Sequence, residues 1–319
     1  MQVVNSLATS NFKLIESAEK AILRTILYFD VFKYPLLKTE VVDLFSSIDL
    51  PPFDIISICD GLVSRGLIFE ERGFLLATQD YSLIDRRLKG NIEAERYFGI
   101  AKRVAGVIAS FPFVRGIMLS GSLSKNYMDA GSDLDLFIVT EKNRLWLTRS
   151  FLAVVKKILP RRVKQYCCMN YFIDLTSLNI PDRNVFTATE LAFLYPVFGP
   201  NVLDGIIGQN EWFRQFYPNA LPRVAKIQPK PYFPRLKWAL EKIFSGKLGD
   251  SMERFLFNFM CKRWKRRYNT EVDSPSAVNI RTRKNVSKHH EKGHQQIVLG
   301  RLAESVLRFN QKHSTNISL

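Results

Sequence analysis

The sequence predicts an α/β (α+β) centre, preceded by a small helical unit with a hairpin and followed by a basic helical region. Three observations lead there. The stretch Leu119–Phe137 sets a Gly-Ser turn and an Asp-Leu-Asp pair between two apolar runs. Before it come three helical spans and two short β runs. The positive charge is concentrated in the last third of the chain.

With 319 residues, 46% of them hydrophobic, the chain has material for real cores and for two or three domains. The expected boundaries are residues 1–80, 81–220 and 221–319. Residues 1–11 lack the basic-then-apolar layout of a secretion signal, and no window approaches a membrane-spanning length of about 18 apolar residues. A cytoplasmic protein with no membrane partner is therefore expected. None of Cys59, Cys167, Cys168 and Cys261 lies in a Cys-x-x-Cys pair, so reduced thiols without zinc fit best.

In the first ninety residues, Leu14–Phe29 has apolar residues at helical spacing. Lys38–Phe45 reads as a second helix with Thr39 as N-cap, and Phe53–Arg65 as a third that Gly66 stops. Leu67–Phe69 and Phe74–Ala77 read as strands joined through Glu71-Arg72-Gly73. Three helices and a hairpin form a winged-helix-like layout. DNA binding through the third helix needs phosphate contacts from Lys and Arg. Residues 1–110 carry 13 basic and 14 acidic residues, so a structural or partner-binding role is favoured over DNA. Tyr81–Ser110 then reads as one long helix whose stripe, Ala94 to Ile108, packs on the central sheet.

In the centre, Val114–Ser120 reads as a buried strand. Gly121 removes the Cβ where the chain turns tightly, and Ser122, Ser124 and Lys125 supply donors beside it. Lys125–Met128 is long enough for one helical turn, whose N–H groups suit an anion. Asp133 and Asp135, two apart on the next strand, share a face while Leu134 and Leu136 take the other. Adjacent carboxylates with no cation near them in sequence repel, and a divalent ion between them explains the pairing. The bland alternative is a polar pair opening a strand.

This pattern, Gly121-Ser122 followed by ten residues and then Asp133-Leu134-Asp135-Leu136, resembles the DNA polymerase β-like nucleotidyltransferase superfamily, its small bacterial members in particular. The match is clear over residues 114–139 and looser to about residue 199. The resemblance implies a minimal nucleotidyltransferase core. In it Gly121 and Ser122 hold the triphosphate of an NTP such as ATP, and Asp133 and Asp135 bind Mg2+ (or Mn2+). An acceptor hydroxyl attacks the α-phosphate. The family also uses a third carboxylate on a later strand. Arg144–Leu159 reads as a helix, and Val163–Asp174 as that strand. Asp174 is its only acid, at its very end, while Asn170 sits more centrally. Both have the same parity, so spacing does not choose between them. With Asn170 in the position, nucleotide binding survives but a catalytic base is missing.

Phe186–Phe198 reads as a short apolar helix that Gly199-Pro200 ends; the aromatic stretch 210–219 could stack a base, with core packing favoured. Residues 221–319 hold 21 basic and 7 acidic residues, which points to a polyanionic ligand or to a solvated basic face. Helices are expected over Arg235–Phe244 and Gly249–Tyr268. The basic and aromatic run Cys261–Tyr268 suits phosphate contact with base stacking, or an amphipathic helix. A polar basic segment, residues 281–294, precedes a last helix over residues 295–309. His289, His290 and His294 lack acidic or cysteine partners at ligand spacing. Lys284, Lys288 and His289 are candidate contacts for triphosphate oxygens.

The leading expectation is a Mg2+-dependent nucleotidyltransferase acting on an unidentified acceptor, whether small molecule, protein or RNA. The rivals are an inactive Mg-NTP-binding regulator and a nucleic-acid-binding winged-helix regulator.

Overall fold

The computed structural model describes residues 2–47, 49–158, 168–220, 229–268, 280–289 and 293–319. It is a mixed α/β protein with one six-stranded and one three-stranded sheet. The N-terminal elements are α1 (Gln2–Asp30), β1 (Leu36–Leu37), α2 (Lys38–Phe45), α3 (Pro52–Ser64), β2 (Phe69–Glu71) and β3 (Phe74–Leu76). The small sheet has the order β1-β3-β2, all antiparallel. Arg72 and Gly73 both have positive φ, the geometry that lets a two-residue turn follow strand twist. Helix α2 starts after Leu37 rather than on a Thr39 cap, and the Leu37 N–H donates to Glu40 of its first turn at 2.8 Å.

Helix α4 (Ser82–Ala109) leads into β4 (Val114–Ser120), the short α5 (Gly121–Ser124) and β5 (Asp135–Thr140). The helical turn therefore begins at Gly121 itself, ahead of the expected Lys125–Met128. Helix α6 (Leu145–Ile158) crosses over to β6 (Cys168–Asp174), parallel to β5. Next come α7 (Val185–Ala192), β7 (Tyr195–Phe198), α8 (Pro200–Gln209) and a 3-10 turn over Glu211–Gln215. The expected single helix Phe186–Phe198 thus ends early and becomes an edge strand paired with β4. Helices α9 (Pro234–Phe244) and α10 (Lys247–Tyr268) follow, then the hairpin β8 (Ile280–Arg283) and β9 (Val286–His289), then α11 (His294–His313). The polar segment from residue 281 is mostly this hairpin. It extends the large sheet to β7-β4-β5-β6-β9-β8.

Alternation along the strands divides the core. Ile117, Leu119, Leu136, Ile138 and Phe172 pack with α4, α6 and Trp264 of α10. Met118, Phe137, Val139 and Ile173 share the other cluster with α1–α3, α7, α8 and α11. That second cluster spans Ile22 to Ile317, so both ends of the chain build one core. Aromatic Phe213 and Tyr217 are buried in it, as the sequence implied.

Arg87 of α4 ties the N-terminal unit to this core. It is buried, donates to the Pro35 carbonyl, pairs with Glu40 at 2.7 Å and lies 4.2 Å over the Tyr34 ring. Arg87→Met keeps the volume and leaves Glu40 without its cation. The expected loss is about 2–3 kcal/mol, below a wholly buried pair because water reaches Glu40. Urea denaturation checks it.

Candidate functional site

The site lies where β4 and β5 meet. Ser120 pairs with Asp135 across the antiparallel ladder, and the chain turns at Gly121 directly after Ser120. Gly121 has φ +64°, and a Cβ there would stand 2.2 Å from Asp135 Oδ2. Only glycine lets the Asp135 carboxylate lie against this backbone. Asp133 is not on the strand as expected but exposed in the loop two residues ahead of Asp135, where β5 begins, and Leu134 between the two is fully buried.

Glu190 of α7, 69 residues on from Gly121, completes the cluster. The Gly121 N–H donates to Glu190 Oε2 at 2.8 Å, and Lys125 Nζ reaches Glu190 Oε1 at 2.8 Å. Lys125 Nζ also donates to the Gly121 carbonyl at 3.1 Å. Burial alone would raise the Glu190 pKa, but the Lys125 pair and the Gly121 N–H outweigh it and hold Glu190 below its usual value. Asp135 is pushed up to about 7, first by desolvation, then by the charges of Glu190 and Asp133, with Lys125 opposing. Glu190 and Asp135 thus both depend on one lysine. His294, at the start of α11, lies within electrostatic reach of Glu190 and Lys125. Its pKa is lowered, mainly by desolvation.

The donors around the turn differ in what they already hold. Ser124 is fully buried and its Oγ donates back to the Gly121 carbonyl, which secures the turn and removes it as a ligand donor. The Ser122 hydroxyl has no hydrogen bond among the described residues and is half-buried. The loop 126–132 is fastened from the N-terminal side. Tyr34 OH donates to the Lys125 carbonyl at 2.7 Å, the Met128 N–H to the Gly90 carbonyl, and Arg86 pairs with Asp129 at 3.0 Å.

The third-carboxylate expectation needs correction. Register places Cys168 beside Asp135, whereas Asp174 lies beside Thr140, at the far end of the strand. Five residues of strand separate them, about 16 Å. Asp174 is buried and committed to structure: it accepts from the Asn143 N–H and from the Thr176 N–H and hydroxyl. Asn170 is at the Asp135 end and donates to Cys168 Sγ. The Cys168 thiol is raised to about 11 by burial and by the nearby Asp135 and Asp133. Strand β6 therefore brings a thiol to the aspartates, with the Asn170 amide bonded to that thiol.

The candidate phosphate contacts of the last third are also displaced. Lys284 is exposed in the β8–β9 turn, at the Asp174 end of the sheet, where the Asp174 N–H bonds Asn285. Lys288 is buried and paired with Asp182 at 3.0 Å, which Arg281 also holds at 2.9 Å. His289 closes β9 opposite Ile280, its side chain lying outside the described residues, as does His290.

Among the described residues, no group of three His, Cys, Asp or Glu side chains is close enough to hold a metal ion, and no helix is long and apolar enough to cross a membrane. Comparison with protein families, characterised proteins and solved structures gives no match for this chain.

Proposed function

We propose that the chain is a divalent-metal-dependent nucleotidyltransferase that moves a nucleoside monophosphate from an NTP to a hydroxyl acceptor. The observation that carries this reading is the Gly121 turn pressed against Asp135, which sets phosphate donors and an acid pair side by side. The class is the DNA polymerase β-like superfamily that the Gly-Ser and Asp-Leu-Asp pattern resembles. The six-stranded sheet is read as its core plus additions.

The donor set fits a hard divalent cation. Asp135 and Asp133 would be its oxygen ligands; Asp135 is raised first by burial and then by the neighbouring carboxylates, whose repulsion a cation would offset. With two protein carboxylates to hold it, the ion would take its remaining ligands from phosphate oxygens and water, as is usual for Mg2+. When bound, the ion neutralises charge developing on the α-phosphate and the leaving pyrophosphate. The chain's own residues orient the triphosphate through the Gly121 N–H, Ser122 Oγ and Lys125 Nζ. The acceptor oxygen bonds to the α-phosphorus as the bond from that phosphorus to the bridging oxygen breaks; the hydroxyl proton passes to water and pyrophosphate leaves.

Glu190 holds two of those donors, so a triphosphate must displace it. Glu190→Gln removes the competing charge and is expected to bind metal-free tripolyphosphate about fivefold more tightly, on the order of 1 kcal/mol. Isothermal titration measures it. An affinity equal to or weaker than wild type would show that Glu190 organises the grip rather than competing for it.

The N-terminal unit is read as a winged helix used for support. Its Tyr34, with Arg86 and Asn91 of the adjoining α4, contacts the 125–129 turn, and its first three elements carry no basic surplus. Incubation with labelled NTPs, Mg2+ and mixed acceptors tests the function. Pyrophosphate release that survives Asp133→Asn with Asp135→Asn would sink it.

A second reading has its own observation: beside Asp135, β6 offers Cys168, hydrogen-bonded by Asn170, and not a carboxylate. A protein that binds Mg-NTP and does not turn it over would follow. Tight binding without pyrophosphate release across acceptor classes selects this reading.

A further inference from the structure

Helix α10 carries large apolar side chains on two opposite faces. Its inner face, with Glu253, Phe257 and Trp264, packs on α6: Phe257 and Trp264 meet Trp146 at 5.5 and 5.8 Å between ring centroids. On the opposite face Leu248, Phe255 and Phe259 form one stripe at helical spacing, and Lys262 and Arg266 continue it. All five are exposed, Phe255 to 67%. A helix apolar all round belongs to an interior, yet this one has a free side. Helix α9 has no buried residue, and Leu236 and Ile243 on one face are exposed together with Phe233 at its N-cap. Isolated exposed apolar residues need no explanation, but two successive helices doing so mark a contact surface.

The charges around it have one sign. Residues 229–268 contain Glu241, Asp250 and Glu253 as their acids. All three serve the protein itself: Glu241 pairs with Arg115, Asp250 with Arg144, and Glu253 accepts the Trp146 and Leu147 N–H groups. Arg254, Arg263 and Lys265 flank the apolar stripe and are exposed. A second copy of this surface would bring like charges together, so self-association is disfavoured. Single-stranded nucleic acid needs aromatic platforms near cations. Here Trp238, Phe255 and Phe259 are exposed near Lys242, Lys262 and Arg266, but they are interspersed with the equally exposed Leu236, Ile243 and Leu248, which stack on no base. Aliphatic and aromatic side chains flanked by Lys and Arg fit an anionic lipid headgroup layer, with the apolar stripe entering the acyl boundary.

We propose that α9 and α10 form a surface that lies on anionic membranes. This departs from the expectation of no membrane partner, and it involves lying on the bilayer, not crossing it. It does not depend on the catalytic reading, because the stripe lies on helices that contribute none of the residues around Gly121.

Co-sedimentation of the full chain with lipid vesicles tests it. Binding is expected to phosphatidylcholine vesicles containing phosphatidylglycerol, falling as salt rises, and not to phosphatidylcholine alone. Leu248→Ser, Phe255→Ser and Phe259→Ser together are expected to weaken binding by about tenfold or more. Lys262→Glu with Arg266→Glu gives the same direction without touching apolar contacts, should the triple variant fold poorly by circular dichroism. Absence of binding to anionic vesicles at low salt overturns the proposal. So does a wild-type dimer that the triple variant dissociates, or RNA homopolymer binding lost in that variant while vesicle binding is unchanged.

Discussion

Asp135→Asn is expected to abolish nucleotide transfer and, above pH 7, to make the protein more stable. Both effects come from one carboxylate. Asp135 is half-buried beside Glu190 and Asp133, and its pKa is pushed up to about 7. An unfolded aspartate titrates near 4. Between those values the folded protein holds a proton that the unfolded chain has released, so stability falls as pH rises through about 4 to 7. Above 7 the full cost of the ionised carboxylate is present, and below 4 none of it is. Asparagine removes that cost at nearly the same size. Three pKa units would set a ceiling of about 4 kcal/mol; water access at the site reduces this to about 1–2 kcal/mol. At about 2–4 °C per kcal/mol the melting temperature rises by several degrees at pH 8 and not at pH 4. Transfer falls by at least about 10²–10³-fold, the usual size for losing one group that offsets transition-state charge. Mg2+ with nucleotide should stabilise the wild type and not the variant. Scanning calorimetry at the two pH values, with a pyrophosphate assay, separates the effects. A variant less stable than wild type at pH 8 would contradict the electrostatic reading of this cluster.

Gly121→Ala is expected to spare the fold and destroy the site. The left-handed backbone at this residue costs an alanine about 1–2 kcal/mol. The added Cβ would meet Asp135 Oδ2 at 2.2 Å and Cγ at 3.1 Å, so Asp135 must rotate away. Its side chain is short and movable, so the chain still folds with a melting temperature a few degrees lower. The acid pair and the Gly121 N–H no longer face the same ligand, and Mg-NTP affinity should drop at least about tenfold, some 1.4 kcal/mol. Urea denaturation and a fluorescent nucleotide titration give the two numbers. Unchanged nucleotide binding would mean that the close approach of Gly121 and Asp135 is structural.

Elements with strong local signals were legible. Val114–Ser120 and Lys38–Phe45 have the bounds that their apolar spacing and breakers imply, and Gly66 and Gly73 occupy positive-φ positions as turn chemistry requires. The end of the Phe186–Phe198 run was not, because a continuous apolar stretch has no period to separate a helix from a buried edge strand. Strands β8 and β9 were hidden by their polarity. Arg281 and Lys288 are tolerated there because Asp182, about a hundred residues earlier, balances both. Asp174 shows a different limit: parity assigns a side chain to a face and says nothing about its position along the strand. Glu190 lies within the Phe186–Phe198 run, where nothing in the sequence sets it apart as a site residue. Its bonds to Gly121 and Lys125 span 69 and 65 residues, and no local pattern carries them. Within the aromatic stretch 210–219, Phe213 and Tyr217 are buried, as several aromatics in a short stretch require.

The central claim is that the Gly121 turn and the Asp133–Asp135 pair form one metal–triphosphate site. Isothermal titration of a non-hydrolysable NTP analogue, with and without Mg2+, into wild type and into Asp133→Asn with Asp135→Asn tests it most directly. The account predicts binding to the wild type that strengthens with Mg2+, and no Mg2+ dependence in the double variant. Equal Mg2+-dependent binding in both proteins would contradict it.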